Sequence, residues 1–336
     1  MHAAPVIRWG IIGCGAVTEV KSGPAYQQTA GFAVDMVMRR DAVKAADYAA
    51  RHQIARWTTD AQALIEDPAI DAIYIATPPD SHLAYALKVA AAGKICCVEK
   101  PMALNTLQCQ QMIDAFQAAN LPLFVAYYRR SLPRFRQIHQ WLQQGRIGPV
   151  RHVQWNFSRT LNPADAAGQP NWRTDPALAG GGYFIDLASH GLDLLMYLLG
   201  DISAVQGTAV NQQGLYPAED AVTAHWLFAA QSDGSQATGA GYWNFAAFER
   251  RDQVEIIGKL GKICFSVFDE QPLRLITASG EQQLSIANPQ HIQQYHAANI
   301  AAHLAGDIEH PSLGITAIRA TTVMEQILAG YQARSE

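Results

Sequence analysis

Val6-Ile7-Arg8-Trp9-Gly10-Ile11-Ile12 reads as a buried strand that runs without a break into Gly13-Cys14-Gly15 and then into a helix-like segment. Few folds accept that join. The first glycine permits the tight turn, and the second lets the backbone approach a pyrophosphate at the start of a helix. Glycines also serve tight turns that bind nothing, so the weight comes from their place directly after the first strand. The third small position of this dinucleotide fingerprint is Thr18 rather than Gly or Ala, a departure expected to loosen helix–strand packing. Gly13, Gly15, Ala16 and Val17 are the expected cofactor cradle.

The same alternation continues downstream. Phe32–Met38, 72–76, 95–98 and 123–127 read as strands; 42–52, 61–66, 82–92 and 107–120 read as helices. Strand–helix alternation of this kind builds a doubly wound parallel sheet of Rossmann type with right-handed crossovers. The pattern changes near Tyr128. After an amphipathic helix at 133–145, long strands with period-two character follow at 151–159, 221–230 and 236–245. Shorter ones come at 254–257, 263–267 and Leu273–Thr277. Strands in succession predict a largely antiparallel sheet, with helices at 291–305 and 314–330 expected to cover it. The expected fold is α/β. An N-terminal Rossmann domain spans 1–126, and a C-terminal α+β domain with a large, mostly antiparallel open sheet spans 127–336.

The totals narrow the function. The chain has 336 residues, of which 49% are hydrophobic and 16% charged, enough to bury a sizeable core. A net charge of −4 gives no basic field for nucleic acid. Five cysteines without a C-x-x-C pair argue against a disulfide framework and a structural zinc site, and no metal is expected. Neighbouring Cys96 and Cys97 read as buried small hydrophobes. The apolar start is interrupted by Arg8 and is too short to span a bilayer or to export the chain, so a cytoplasmic protein without a membrane partner is expected.

Phe32–Met38 decides between the two dinucleotides. An NAD site ends this strand with a carboxylate for the ribose 2′-hydroxyl. Here Arg39-Arg40 follows instead, and two guanidinium groups suit a 2′-phosphate. Ordinary surface arginines are the alternative. Asp41 stands where the next helix begins and reads as its N-cap. NADP(H) is therefore the preferred cofactor, with NAD(H) as the other choice.

Two further stretches carry chemistry. Cys97-Val98-Glu99-Lys100-Pro101 places a lysine at the carboxyl end of a central strand, where open α/β sheets bind ligands. Glu99 reads as a structural or ribose-contacting carboxylate. Further on, Gly180-Gly181-Gly182 precedes a very apolar helix in which Asp186 and His190 are four residues apart and share a face. An acid and a histidine in such a helix need partners or a wet cleft. A structural Asp–His hydrogen bond is one reading; a site is the other, favoured because the glycine triplet suits close approach of backbone to a ligand.

Taken together, the loop, the Thr77-Pro78 strand end, Glu99-Lys100-Pro101 and Gly180-Gly181-Gly182-x-x-x-Asp186-x-x-x-His190 resemble the Gfo/Idh/MocA oxidoreductases over nearly the whole chain. That family includes glucose–fructose oxidoreductase, inositol dehydrogenase and dihydrodiol dehydrogenases. The resemblance implies a Rossmann domain holding a nicotinamide dinucleotide, and a C-terminal sheet that packs face to face in homodimers or homotetramers. It implies that Lys100 lies near nicotinamide and substrate, and that Asp186 and His190 are the acid and histidine of the family's Asp-x-x-x-His helix. Thr77, Pro78 and His82 match a loop flanking the cofactor's riboses; Arg130 matches an arginine after the last Rossmann strand. Trp172-Arg173 matches a pair lying over the cofactor in some members.

The reaction so implied is hydride transfer between nicotinamide and the carbinol carbon of a sugar, polyol or related molecule. His190 is the expected general acid/base; Lys100 stabilises charge on the reacting oxygen or shares the proton transfer; Asp186 orients His190, contacts substrate, or does both. Phosphate loop, lysine and Asp-x-x-x-His helix are expected to meet at one cleft. A sensor of this fold without turnover, and a glycoside hydrolase that oxidises transiently through NAD, are the competing readings. Substrate specificity is expected in second-domain loops that include 161–171.

Overall fold

A computed structural model describes residues 6–231 and 234–331. They form two units. The first runs to Leu132 and takes in Pro289–Ile318; the second comprises Pro133–Asn288 and the residues from Arg319 onward.

The first unit is built on strands β1 (Ile7–Ile12), β2 (Phe32–Met38), β3 (Arg56–Thr58), β4 (Ala72–Ile75), β5 (Ile95–Val98) and β6 (Leu123–Val125). Their order is β3-β2-β1-β4-β5-β6 and every pair is parallel. This is the doubly wound order, whose crevice opens where the connections reverse, between β1 and β4. Every residue of β4 is buried, as strands covered on both faces require. Local chemistry sets the helix ends. Asp41, Asp60 and Asn105 cap the helices Ala42–Arg51, Ala61–Glu66 and Thr106–Ala118 by accepting from amides two or three residues on. Gly93, with φ +71°, ends the helix region begun at His82.

One expectation is corrected here. The helix Gln294–Leu304 does not cover the antiparallel sheet. It buries Ala297 and Ile300 in the same cluster as Trp9, Tyr26 and Phe124 of the first unit. Its polar residues are matched there too: Gln293 donates to Glu99 at 2.7 Å and Asn299 to Ser131 at 2.9 Å. Leu313 then bridges Phe124 on β6 in antiparallel sense. The final helix, Gly314–Leu328, changes units at Ile318; beyond that point Arg319 pairs with Asp201, and Ile327 lies against Gly207.

The second unit holds β7 (Val150–Ser158), β8 (Ile202–Val210), β9 (Ala221–Phe228), β10 (Thr238–Asn244), β11 (Arg251–Gly258), β12 (Gly261–Phe265), β13 (Leu273–Thr277) and β14 (Gly280–Leu284). They form one sheet in the order β14-β13-β12-β11-β7-β10-β9-β8. All neighbours are antiparallel except β7 and β10. Alternation sorts the faces: on β9, Val222, Ala224, Trp226 and Phe228 are buried while Thr223, His225 and Leu227 face outward. The helix Tyr183–Leu199 buries most of its length, as its composition demands. Among the described residues no helix is long and apolar enough to cross a membrane.

Candidate active site

In the first unit the strand-to-helix join is tight. Gly13 has φ +91°, and a Cβ there would stand 2.7 Å from the Thr77 methyl and 3.0 Å from the Thr77 nitrogen. The loop after β1 is thus pressed onto the loop after β4. The amides of Gly13 and Cys14 both donate to the Met38 carbonyl, at 2.9 and 3.2 Å. A Cβ on Gly15 would meet nothing closer than the Gly13 carbonyl at 3.7 Å, so that face is open to a ligand. The amides of Ala16 and Val17 open the helix Ala16–Val20, so they have no intrahelical acceptor. An open glycine face beside two such amides fits a pyrophosphate.

Thr18 corrects the expectation of looser packing. It is fully buried, and its hydroxyl accepts from the Gly15 amide at 3.0 Å and donates to the Gly15 carbonyl at 2.9 Å. The departure from Gly or Ala makes a hydrogen-bonded cap. Two residues that no motif marks hold this helix from behind. Tyr48 donates to the Thr18 carbonyl at 3.0 Å, and Glu19 takes two 2.8 Å bonds from Arg51 and faces His52. The Arg51 guanidinium holds the Glu19 carboxyl down to about 2.

Arg39 is half-buried and donates from Nη1 to the Cys14 carbonyl at 3.1 Å; Arg40 beside it is exposed. Asp41 is the N-cap expected of it, accepting from the Lys44 amide at 3.1 Å.

Behind the β4 and β5 loops sits His82, fully buried. Its Nε2 lies 2.8 Å from the Thr77 carbonyl, and its Nδ1 3.1 Å from Pro101 and 3.2 Å from Met102 carbonyls. Burial pushes its pKa down, with the carbonyls opposing. The ring therefore clasps the Thr77-Pro78 loop to the Pro101 loop. Glu99 is also committed to the protein: Oε1 accepts from Tyr74 at 2.5 Å and from Gln293 at 2.7 Å, and Oε2 faces the Lys100 amide at 3.2 Å. Lys100 follows the interior strand β5, is half-buried, and precedes a cis peptide bond to Pro101. Arg130 is buried, and its guanidinium donates to the Pro311 carbonyl at 2.6 Å and the Thr316 hydroxyl at 3.0 Å. It secures the returning segment.

In the second unit the helix Tyr183–Leu199 carries Asp186 and His190. Asp186, with 14% of its side chain exposed, accepts from Arg173 Nε at 3.1 Å; the Arg173 guanidinium lies 4.4 Å from the Trp172 ring. Trp172 and Arg173 form a short 3₁₀ turn, so the expected pair is joined directly to the expected acid. His190 is buried, edge-on to Phe268 with 5.9 Å between centroids. Buried Asp252 fixes that wall: it accepts from the Phe268 amide at 2.7 Å, from Trp155 at 3.0 Å and from Ser266. Tyr183 pins the 161–171 loop, donating to Asp165 at 2.6 Å and accepting from Asn162 and Asn171 at 2.9 and 2.7 Å.

The glycine triplet also departs from expectation. Gly180 ends the helix Pro176–Ala179 with φ +79°. A Cβ on Gly182 would stand 2.7 Å from the Glu219 carbonyl and 2.9 Å from the Ala218 methyl, and one on Gly181 would strike Ile185 at 2.5 Å. These two glycines make room for the protein's own atoms, not for a ligand. Among the described residues no group of three His, Cys, Asp or Glu is placed to hold a metal ion.

Family models match both units: an oxidoreductase family with an NAD-binding Rossmann fold over residues 7–127, and a GFO/IDH/MocA C-terminal domain over 135–264. Oxidoreductase P35 of Formosa agariphila is 39% identical over 86% of this chain and 88% of its own length. The chain belongs to the Gfo/Idh/MocA oxidoreductase family. A second family relative, 1,5-anhydro-D-fructose reductase of Ensifer adhaerens, is 30% identical over 58% of this chain and 57% of its own. Among solved structures, levoglucosan dehydrogenase in complex with NADH and levoglucosan superposes with a TM-score of 0.84 at 23% identity, covering 96% of both chains. That likeness shows the shared fold. As a Gfo/Idh/MocA protein the chain is an oxidoreductase with an NAD(P)-binding Rossmann unit.

Proposed function

We propose that this oxidoreductase prefers NADP(H) and moves a hydride between nicotinamide and a carbinol or carbonyl carbon of a sugar, polyol or related small molecule. The observation that carries the reading is the cradle after β1, where Gly15 leaves an open face and Arg39 and Arg40 stand at the end of β2. Two sequence relatives support the substrate class, 1,5-anhydro-D-fructose reductase and a levoglucosan dehydrogenase 32% identical over 48% of this chain.

The bound nicotinamide supplies the hydride acceptor or donor. The chain supplies everything else. Gly13, Gly15, Ala16 and Val17 receive the pyrophosphate; Arg39 and Arg40 receive the 2′-phosphate. Thr77, Pro78 and His82 shape the ribose side, His82 by holding two loops in place. Glu99 and Arg130 contribute as buried supports of that wall. Lys100 donates a hydrogen bond to the reacting oxygen, and His190 exchanges the proton. Asp186, held by Arg173 against Trp172, fixes the polar face of the helix and contacts substrate.

We also infer a homodimer or homotetramer through the outward face of the eight-stranded sheet, on which Leu227 and Tyr242 are exposed. The five cysteines are all free and buried, which supports a reducing, cytoplasmic compartment.

Absorbance at 340 nm across a panel of sugars, anhydro sugars and polyols tests the reading. Net cofactor turnover is the expected result. Glycoside cleavage without net turnover identifies a hydrolase instead, and binding with neither identifies a sensor.

A further inference from the structure

Glu219 is 1% exposed, yet it lies outside every motif discussed above. Its Oε1 accepts from the Gly182 amide at 2.8 Å. Gly182 is the N-cap of the helix Tyr183–Leu199, and glycine brings no side-chain cap of its own. The Gly182 carbonyl in turn accepts from the Asp186 amide at 3.3 Å, the first rung of that helix. Glu219, Gly182 and Asp186 are therefore consecutive links of one hydrogen-bonded line. The contact is close on all sides. A Cβ on Gly182 would lie 3.0 Å from Glu219 Oε1, and one on Gly181 would lie 3.4 Å from it.

The carboxyl itself rests on a fixed base. Asp220, the next residue, accepts from the amides of Gln212 and Gln213 at 2.7 and 2.8 Å. Its carbonyl accepts from Phe245 and its amide donates to Val210. The strand start at Ala221 is thus anchored on both sides, and Glu219 reaches from it to the helix. A carboxyl at a helix N-terminus also faces the positive end of the helix. Most helices take such a cap from the residue next to them; this one takes it from 37 positions away.

We infer that Glu219 is a positioning residue for the reaction, setting where Asp186 stands by holding the first turn of the helix through the Gly182 amide. This rests on the role proposed above for Asp186 and His190. The glycines before the helix are then explained as the space this carboxyl needs.

The test uses the full chain with Glu219→Ala, Glu219→Asp and Glu219→Gln, beside Asp186→Asn and His190→Ala. Glutamine retains the acceptor oxygen; aspartate withdraws it by one methylene; alanine removes it. Amide hydrogen exchange should speed up about tenfold or more at Gly182 and Asp186 in the alanine and aspartate variants. It should stay unchanged at 192–199 and near wild type in Glu219→Gln. With NADPH and the panel substrate, kcat should fall about tenfold in the alanine and aspartate variants. The KM for NADPH should hold, and Glu219→Gln should recover most of the loss, since an ångström of misplacement can cost ~10²-fold. If Glu219→Ala does not fold, Glu219→Asp decides. Wild-type exchange and kcat in Glu219→Asp, or a glutamine variant as impaired as the aspartate one, overturns the inference. Normal turnover in Asp186→Asn and His190→Ala would instead remove the catalytic reading, leaving the exchange result to judge Glu219 alone.

Discussion

The Arg39 guanidinium donates to the Cys14 carbonyl, 3.1 Å away, in the middle of the loop between β1 and the helix Ala16–Val20. One of the two arginines after β2 is therefore tied to the cradle it borders. Its neighbour Arg40 is exposed. Charge-assisted hydrogen bonds to a phosphate contribute about 1.5–3 kcal/mol each. The double variant Arg39→Ala/Arg40→Ala should weaken NADPH binding by about 10²–10⁴-fold while changing NADH much less, measured as dissociation constants by fluorescence. Arg40→Ala alone should weaken NADPH selectively. Tighter binding of NADH than NADPH by the unaltered protein refutes the preference.

Lys100→Ala and His190→Ala test the roles proposed for these residues, hydrogen bonding to the reacting oxygen and proton exchange. Each such group is worth about 10²–10⁴ in rate. Both variants should lose turnover on that scale in the 340 nm assay. NADPH binding should remain, because the cradle residues are untouched. Near wild-type turnover in either removes that residue from the mechanism.

Burial pushes the Glu219 carboxyl up to about 7, the Gly182 amide working the other way and the Asp220 carboxylate beside it adding to the rise. An ordinary glutamate titrates near 4.5. The folded protein thus keeps a proton that the unfolded chain releases. The resulting stabilisation is full below 4.5 and is lost as pH rises through about 7, on the order of 3 kcal/mol. Glu219→Gln lacks this titration. Denaturant unfolding of both proteins at pH 5 and pH 8 should show the wild type losing stability relative to Glu219→Gln at the higher pH. An equal difference at both pH values contradicts the assignment.

Gly191 follows His190, and a Cβ there would sit 2.2 Å from the Trp155 ring. That ring is fixed by its bond to Asp252 and cannot swing away cheaply. Gly191→Ala should cost about 1–3 kcal/mol through overpacking, seen as a lower melting temperature. Turnover should fall with it, because the helix must shift at the position next to His190.

Local grammar explains how much of this molecule is legible in its sequence. The join from Ile12 to Gly13, the caps at Asp41 and Asn105 and the apolar runs of β4 and β5 are short-range signals, and the first sheet follows from them. Asp186 and His190 are legible for the same reason, four residues apart on one helix. β8 offers a weaker signal, since Ile202, Val205 and Val210 are scattered among small and polar residues and all nine positions face outward or lie at intermediate depth. β14 is exposed throughout except at Leu284. The duties of Glu219, Arg130 and His82 depend on partners 37, more than 180 and about 20 residues away. No window of sequence holds both ends of such bonds, so composition alone assigns these side chains to the wrong neighbourhood or to none.

The returning segment has a consequence for biogenesis. Trp9, Tyr26 and Phe124 are closed over by Ala297 and Ile300, and Arg130 waits for Pro311 and Thr316. During vectorial synthesis the strands β1 to β6 leave the ribosome first, and that seam stays uncovered while Pro133–Asn288 is made. A fragment ending at Leu132 would leave Trp9, Tyr26 and Phe124 without the cover that Ala297 and Ile300 provide, an unfinished object rather than a minimal Rossmann module.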